Sequence, residues 1–371
     1  MVAINQSWFL CKLSTHQWCF LLFNVLLFHA LLFGGDFVEE YLLQPVPKVY
    51  NDGLVIDIRE KARKLDLSAA TEKEWRAYPA PNRDACTSAD LFLLALIFSS
   101  PANISRRDAI RRTWANQTQV QGLPVRVLFF IGSAHTSHLQ EALVLESNHS
   151  RDVVQCHAVT DSPFGGPVER TVLAFRWLIT FCPRARFVLL THDHVFVNLP
   201  AIGGYLLGLR RHPEDLYLGQ VIQGKYSDRN PSSPGYMPPN VYLHKHLPEY
   251  CDGTTYVMSQ DVVRKVYVAS AQVRAPVSAD IFVGLCAQKA GVAPTHSARF
   301  PGDKNIRYNA CCYRYLFSSA QMTSLDLDRV WSDLGPNGSA GKCSLFQTYY
   351  GLVICKALTY LHTLSILATS E

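Results

Sequence analysis

The chain has 371 residues, of which 48% are hydrophobic and 18% are charged. A chain of this length and composition can bury a full hydrophobic core, which excludes a disordered protein and favours one large domain or two halves that share an interface. The formal net charge of +5 is small for this length. We therefore expect no nucleic-acid partner.

An apolar run occupies residues 18–35 and is interrupted only by Asn24 and His29. Its length is close to that needed to cross the hydrocarbon core of a bilayer, which predicts a membrane signal anchor. A lysine precedes the run and three acidic residues follow it, so the positive-inside rule predicts a cytoplasmic tail over residues 1–17 and a type II topology. A cleaved signal peptide is the alternative, although no small-x-small cleavage pattern follows the run.

The cysteines and the glycosylation sequons both favour a secretory compartment. Of the eleven cysteines, nine follow the apolar run, and since nine is odd, we expect one to be unpaired in an oxidising lumen. No Cys and His spacing typical of a zinc site occurs. Asn-x-Ser/Thr sequons, which are permissive evidence for glycosylated surface loops, begin at Asn103, Asn116, Asn148 and Asn337.

The pattern along the chain predicts a spacer followed by an α/β domain. Residues 36–85 contain prolines and a charged stretch without a strong apolar stripe, which indicates a stem. Residues 86–371 form the predicted luminal domain, in which apolar runs alternate with helical patterns. A segment rich in Pro, Gly and Ser at 224–242 predicts a long functional loop. Apolar residues at 349–367 predict a docked C-terminal helix.

A short polar cluster, His192-Asp193-His194, follows an apolar strand predicted at 187–191. Ligands of open α/β sheets bind at the carboxyl ends of strands, and strand alternation places the two histidines on one side. Imidazole binds transition metals well, so this cluster predicts a site for Mn²⁺ in preference to Mg²⁺. The alternative is that three polar residues simply end a buried strand.

This cluster resembles a known site. Residues 191–198 read Thr-His-Asp-His-Val-Phe-Val-Asn, which is similar to the Asp-Asp-Asp-Val-Phe-Val-Asn motif of the Golgi β1,3-galactosyltransferases and β1,3-N-acetylglucosaminyltransferases. In that family the acidic tip holds a divalent cation that binds the diphosphate of a UDP-sugar. The resemblance implies Asp193 and His194 as Mn²⁺ ligands and Asp193 as a residue that binds the UDP-sugar donor.

Other segments between about residues 91 and 334 resemble the same family in the same order. Residues 106–114 read Arg-Arg-Asp-Ala-Ile-Arg-Arg-Thr-Trp, similar to the family's Arg-x-x-Ile-Arg-x-Thr-Trp. Helical spacing places Arg107 and Arg111 on one face. The resemblance suggests that these two arginines contact the diphosphate, and the alternative is a solvated basic face.

Two further segments imply the acceptor wall and the catalytic base. Residues 247–259 resemble the family's Tyr-Pro-x-Tyr-Cys-x-Gly-x-x-Tyr-Val-x-Ser, which implies acceptor-side roles for Tyr250, Gly253 and Tyr256. Residues 278–286 resemble Glu-Asp-Val-x-Val-Gly-x-Cys, which implies that Asp280 takes the proton of the acceptor hydroxyl, as an inverting transfer requires. The alternative for Asp280, before a β-like apolar run, is a helix or turn cap.

The chain departs from the family pattern at two positions linked to the metal. His194 replaces an acid, and no histidine occurs near Ala320, where the family's C-terminal block has one. Two hypotheses follow. The preferred one is a Golgi type II membrane enzyme, a UDP-sugar-dependent inverting β1,3-glycosyltransferase that uses UDP-galactose or UDP-N-acetylglucosamine and a glycan acceptor. The alternative is a non-catalytic relative that acts as chaperone or partner of another glycosyltransferase.

For the preferred hypothesis the resemblance implies an α/β fold of the GT-A type, a Rossmann-like mixed sheet flanked by helices. We expect a nucleotide-sugar half over about residues 90–200, an acceptor half over 201–335 and a C-terminal extension over 336–371. The oligomeric state, the acceptor and the disulfide pairing stay open at this point.

Overall fold

The structure is a computed structural model. It describes residues 14–37, 52–67, 78, 82–86, 91–157, 166–209, 214–233, 236–239, 242–273, 277–335, 343–344, 346–347, 349–355 and 357. The chain divides into two compact units, Met1–Gln44 and Pro45–Glu371. The described element of the first unit is helix α1 (Thr15–Phe37), which includes the predicted apolar run. No helix among the described residues is long and apolar enough to cross a membrane.

The second unit alternates helices and strands. Its described helices are α2 (Gly53–Lys64), α3 (Ile104–Arg112), α4 (Ser137–Ser150), α5 (Gly166–Phe181), α6 (Leu199–Gly208), α7 (Gln260–Ser270), α8 (Ala279–Lys289), α9 (Ala310–Tyr313) and α10 (Ser324–Leu334), with 3₁₀ turns at Arg83–Cys86 and Trp114–Asn116. Its described strands are β1 (Leu93–Ser99), β2 (Gln119–Val120), β3 (Leu123–Ile131), β4 (Val153–Gln155), β5 (Phe187–His192), β6 (Phe196–Val197), β7 (Tyr217–Ile222), β8 (Tyr250–Ser259), β9 (Thr295–His296) and β10 (Ser318–Ser319).

Eight of these strands form one mixed sheet in the order β2-β3-β1-β5-β8-β7-β9, with β4 also paired to β3. Strand β1 runs parallel to β3 and β5, and β8 runs antiparallel to β5 and β7. A small second sheet pairs β10 with β6. The predicted mixed α/β sheet is therefore confirmed, and strands from both predicted halves belong to this single sheet.

The strand sequences explain why helices cover both faces of this sheet. Strand β1 is a continuous apolar run, which is typical of a strand buried on both sides. Leu94 and Leu96 belong to one apolar layer with Trp177 of α5. Leu93 and Ala95 belong to the opposite layer with residues of α3, α6 and α10. Successive side chains thus point into two different cores.

Part of the predicted stem packs against the domain. Helix α2 buries one apolar face, and Arg59 on this helix forms an ion pair of 2.7 Å with Asp215. Arg264 of α7 donates a hydrogen bond of 2.7 Å to the carbonyl oxygen of Leu65 just after the helix. Residues 53–65 are therefore a docked element of the second unit.

The number of unpaired cysteines differs from the number predicted. Bonds join Cys86 to Cys182, Cys311 to Cys343 and Cys312 to Cys355. Among the described residues after the apolar run, three cysteines are free and buried, namely Cys156, Cys251 and Cys286. The prediction of one unpaired cysteine is therefore wrong. A buried thiol packs as a small apolar side chain, so it needs no partner.

Residues 349–355 are helical, while the end of the predicted C-terminal helix and the sequon at Asn337 lie outside the described residues.

The predicted loop at 224–242 has no regular helix or strand in its described part. Arg229 holds it together, since its guanidinium donates to the carbonyl oxygens of Met237, Tyr242 and His244 at 2.6, 2.7 and 2.9 Å. The loop is therefore organised by one central side chain.

Candidate active site

A cavity of about 340 Å³ lies where β1, β5 and β8 meet helices α5 and α8. It opens at the carboxyl ends of the parallel strands β1 and β5, where ligands of α/β sheets bind. It is lined by Phe98, Ser99, Ser100, Asn103, Pro167, Arg170, Thr171, His192, Asp193, Gly253, Tyr256, Ala279 and Asp280.

Strand pairing brings these segments together. Phe98 of β1 lies opposite His192 of β5, and the backbone N–H of Asp193 donates to the carbonyl oxygen of Phe98 at 3.2 Å. On the other side of β5, Thr191 pairs with Thr255 of the antiparallel strand β8. The end of β5 is therefore flanked by the end of β1 and by the first half of β8.

Asp193 lies at the bottom of this junction and is 4% exposed. One carboxylate oxygen, Oδ2, accepts hydrogen bonds from Ser99 Oγ at 2.7 Å and from Asn103 Nδ2 at 2.9 Å. The other, Oδ1, lies 3.4 Å from Arg106 Nη1. Three protein donors therefore already satisfy this buried carboxylate.

The two histidines beside Asp193 lie next to each other, although β5 ends at His192 and His194 is in the turn that follows it. Their rings stack with centroids 5.5 Å apart. Burial, together with the nearby His194, lowers the pKa of His192 to about 4, so its imidazole is neutral at physiological pH. His194 is more exposed, and its Nδ1 lies 4.0 Å from Asp193 Oδ1.

These side chains do not fit a transition-metal site as they are placed. Across the residues that the structure describes, no group of three or more His, Cys, Asp or Glu side chains could hold a metal ion. Ala320, near which the family has a histidine, is fully buried and supplies no ligand. Both oxygens of Asp193 already have protein donors. The Mn²⁺ site of Asp193 and His194 stays a prediction from the sequence, and the donor set does not favour it.

Asp280 also lines the cavity, from the first turn of α8. Its Oδ1 accepts a hydrogen bond of 2.9 Å from the N–H of Ile281, whereas its Oδ2 accepts none from any described residue. The β-like run expected after Asp280 is helical, because it packs as a buried helix, and Ser278 is the residue at the cap position. One carboxylate oxygen of Asp280 is therefore free to accept a proton.

Gly253 and Tyr256 of β8 line the cavity, and their acceptor-side roles stay predictions from the sequence. A Cβ added at Gly253 would lie 3.2 Å from Asp280 Cβ, so glycine allows β8 and α8 to approach closely. Tyr256 is buried and packs edge-on against Tyr217 with ring centroids 5.7 Å apart. Both residues therefore shape the wall beside Asp280.

Tyr250 does not lie on this cavity, which corrects its predicted place on the acceptor side. It is 2% exposed and lies under α8, since a Cβ added at Gly284 would be 2.4 Å from Tyr250 Cβ. Burial raises the pKa of Tyr250, and the neighbouring Asp280 raises it further. Its role in this structure is to support the helix that carries Asp280.

Arg107 and Arg111 do not line the cavity, so their predicted contact with a diphosphate is corrected. Arg107 lies behind the cavity wall, where its Nη1 donates to Ser99 Oγ at 3.0 Å and to the carbonyl oxygen of Ser100 at 2.6 Å. Arg107 is fully buried, and its Nε and Nη2 donate to the two carboxylate oxygens of Glu146 at 2.7 and 2.6 Å. Arg111 donates to Glu146 at 2.6 Å and to Asp152 at 2.8 Å. The face that carries both arginines is turned inward, where a buried charge requires a charged partner.

The end of β1, the loop after it and the start of α5 contribute cavity residues for which no site role was predicted from the sequence. Ser99, Ser100 and Asn103 come directly after the apolar run of β1, and adjacent parallel strands end at the same edge of a sheet. That rule could have placed them beside Asp193. Arg170 of α5 lines the cavity, and Arg106 Nη1 lies 3.4 Å from Oδ1 of the cavity residue Asp193.

Comparison with known proteins identifies the family of this chain. The galactosyltransferase family model matches residues 105–298. Beta-1,3-galactosyltransferase 9 from Homo sapiens is 42% identical over 351 residues, covering 95% of this chain and 93% of that protein. Lactosylceramide 1,3-N-acetyl-beta-D-glucosaminyltransferase from Rattus norvegicus is 34% identical over 275 residues, covering 72% of each chain. The chain therefore belongs to the galactosyltransferase family.

Proposed function

We propose that this protein is an inverting β1,3-glycosyltransferase of the GT-A type that transfers a sugar from a UDP-sugar to a glycan acceptor. UDP-galactose is the preferred donor, because the relative that covers most of the chain is named a galactosyltransferase. UDP-N-acetylglucosamine is the second candidate, since other relatives are named for that transfer. The observation that carries the proposal is a cavity whose wall presents Asp280 with one free carboxylate oxygen.

The chemistry requires a base on one side of the sugar and a leaving group on the other. The acceptor oxygen forms a bond to C1 of the donor sugar while the bond from C1 to the diphosphate oxygen breaks. The electron pair of that bond stays with UDP, and the proton of the acceptor hydroxyl passes to Asp280. Asp280 and Asp193 both line the cavity, so the proposal places the acceptor beside Asp280 and the UDP beside Asp193.

The wall made by β8 suits a carbohydrate. Tyr256 lines this wall, and aromatic rings pack well against the apolar C–H faces of sugars. Gly253 adds no side chain, so the sugar can approach the strand beside Asp280. We place the acceptor hydroxyl between this wall and the carboxylate.

We also propose a Golgi membrane location with the second unit in the lumen. The three disulfides support an oxidising compartment. The apolar run at 18–35 and its flanking charges are the basis for the type II anchor. Fluorescence microscopy of the tagged full-length chain, with protease protection of the tag, tests both parts of this proposal.

The enzymatic proposal is tested by UDP release from each UDP-sugar across a panel of β-linked and α-linked acceptor glycans. We expect release that requires an acceptor, and a product linked through the 3-hydroxyl with inverted configuration. If the folded protein binds UDP but releases none with any acceptor, the non-catalytic hypothesis replaces this one.

A further inference from the structure

One arginine lines the cavity and a second contacts the cavity residue Asp193, where the family pattern has a cation site. Arg106 Nη1 lies 3.4 Å from Asp193 Oδ1, and its side chain is 44% exposed. Arg170 of α5 lines the cavity directly. In the part of the chain that the structure describes, Arg170 has no acidic partner and Arg106 has only Asp193. Both guanidinium groups are therefore available to an anion.

From this arrangement we infer that Arg106 and Arg170 bind the diphosphate of the donor in place of a divalent cation. The inference rests on the proposed function, because it takes a UDP-sugar as the ligand. A guanidinium presents several N–H donors in a planar arrangement that matches phosphate oxygens and carries a permanent positive charge. Two such groups at one cavity can neutralise the charge that develops on the leaving diphosphate.

The surroundings of Asp193 oppose a cation at the same place. A metal ion at Asp193 would have to displace Arg106 or tolerate its positive charge at short range, and like charges at short range repel. The oxygen of Asp193 that Arg106 does not contact is already held by Ser99 and Asn103. His194, which replaces the family's acid, adds no negative charge to attract the ion.

Asp193 therefore has a positioning role in this chain. Its contacts with Asn103 and Arg106 fix the first turn of α3 against the end of β5. This holds the Arg106 guanidinium at the edge of the cavity, where its exposed side can meet a phosphate oxygen. The protein supplies its own fixed cations at the point where the family uses a bound ion.

The test is calorimetric titration of UDP into the purified full-length protein, without acceptor, in EDTA and in Mn²⁺. We expect the dissociation constants in the two conditions to agree within about twofold, the scatter normally allowed for a context-dependent interaction. Arg106→Gln and Arg170→Gln should each weaken UDP binding in EDTA by about tenfold or more, because each removes charge-assisted hydrogen bonds.

Arg112→Gln is the matched control. Arg112 is on the same helix as Arg106 but pairs with Asp328 away from the cavity, so its substitution should leave UDP binding unchanged. Thermal unfolding verifies that each variant is folded, and Arg170→Gln provides an independent answer if loss of Arg106 destabilises the Asp193 cluster.

Two results would overturn the inference. One is UDP binding that appears only with Mn²⁺ or is at least tenfold tighter with it. The other is unchanged binding in both folded arginine variants. The titration contains no acceptor, so its result is separate from the transfer assay that tests the proposed function. Metal-dependent UDP binding together with active transfer contradicts only the arginine assignment. Metal-free UDP binding without transfer contradicts only the enzyme assignment.

Discussion

The two carboxylates that line the cavity differ in how many hydrogen-bond donors the protein already supplies to them. Asp193 is buried and accepts three protein donors, whereas Asp280 has one carboxylate oxygen without a described partner. A general base must be able to accept a proton from a substrate, so the open carboxylate is the better candidate. We therefore propose different roles for the two acids of the cavity, one in positioning and one in proton transfer.

Glu146 carries a prediction about stability. Burial alone would raise the pKa of Glu146, but hydrogen bonds from Arg107 and Arg111 lower it below its ordinary value of 4.5. Glu146→Gln leaves the fully buried Arg107 without a charged partner, so we expect a loss of about 3 to 5 kcal/mol in the free energy of unfolding. Urea unfolding at neutral pH measures this loss, and Glu141→Gln, at an exposed position of the same helix, is the control.

The same carboxylate predicts the direction of a pH effect. Because its pKa is lower in the folded protein than in the unfolded chain, its stabilisation is fully present above pH 4.5 and is lost as the pH falls through the folded pKa. The stability of wild type should therefore approach that of Glu146→Gln in acid. A difference between the two proteins that is as large at about pH 3 as at neutral pH would contradict this origin.

At the scale of elements, the contact of β8 with α8 sets the position of Asp280. Gly284 of α8 lies directly over Tyr250 of β8, and a Cβ added there would meet Tyr250 Cβ at 2.4 Å and its Cα at 3.3 Å. The strand backbone and the helix cannot both keep their places around an added methyl group. The glycine therefore fixes how closely the helix that carries the base approaches the sheet.

Gly284→Ala should move α8 away from β8 and with it Asp280. We expect a loss of about 1 to 3 kcal/mol in stability, the usual cost of overpacking a core, and a larger loss of kcat for transfer than of UDP affinity. Gly208→Ala in α6, where an added Cβ meets nothing within 4 Å, is the control. Wild-type kcat in a folded Gly284→Ala variant would show that this contact does not position the base.

The elements also show what could be read from the sequence. Strands β1, β3 and β5 are long apolar runs, so their existence and the polar cluster at the end of β5 follow from composition. The face of α3 that points inward could not be predicted from composition. Arg107 and Arg111 turn toward Glu146 and Asp152, which lie about 40 positions later in the chain. Only the three-dimensional fold shows that these carboxylates lie within ion-pair distance of the two arginines.

In β8 too, the resemblance to family motifs could not predict where each side chain points. Tyr250 and Tyr256 occur in one motif, yet the pairing of β7 with β8 shifts register between these positions. Both tyrosines belong to one apolar layer of the sheet, so alternation alone does not distinguish them. Tyr256 reaches the cavity, whereas Tyr250 supports α8. The pattern could place the motif beside the site, but side-chain direction required the three-dimensional pairing.

At the scale of the whole molecule, a disulfide joins distant parts of the second unit. Cys86, at the 3₁₀ turn before β1, is bonded to Cys182 after α5, a separation of 96 residues. A bond that closes a long loop restricts the unfolded chain and typically stabilises a protein by about 2 to 4 kcal/mol. It also fixes the carboxyl end of the helix that contributes Arg170.

Replacing both Cys86 and Cys182 by Ser should therefore lower the free energy of unfolding by about 2 to 4 kcal/mol. Thermal unfolding under non-reducing conditions measures the change, with Cys19→Ser as the control because that cysteine is exposed and free. Equal unfolding temperatures for the double variant and wild type would show that the bond does not contribute to stability.

The measurement that most directly tests the central claim compares wild type with Asp280→Asn for UDP release in the presence and absence of acceptor. Asn keeps the size of the side chain but cannot accept the proton of the acceptor hydroxyl. We predict that Asp280→Asn loses at least about a hundredfold in kcat, as expected for removal of a general base, while its UDP affinity and unfolding temperature match those of wild type. Acceptor-dependent transfer at the wild-type rate by the folded variant would contradict the account.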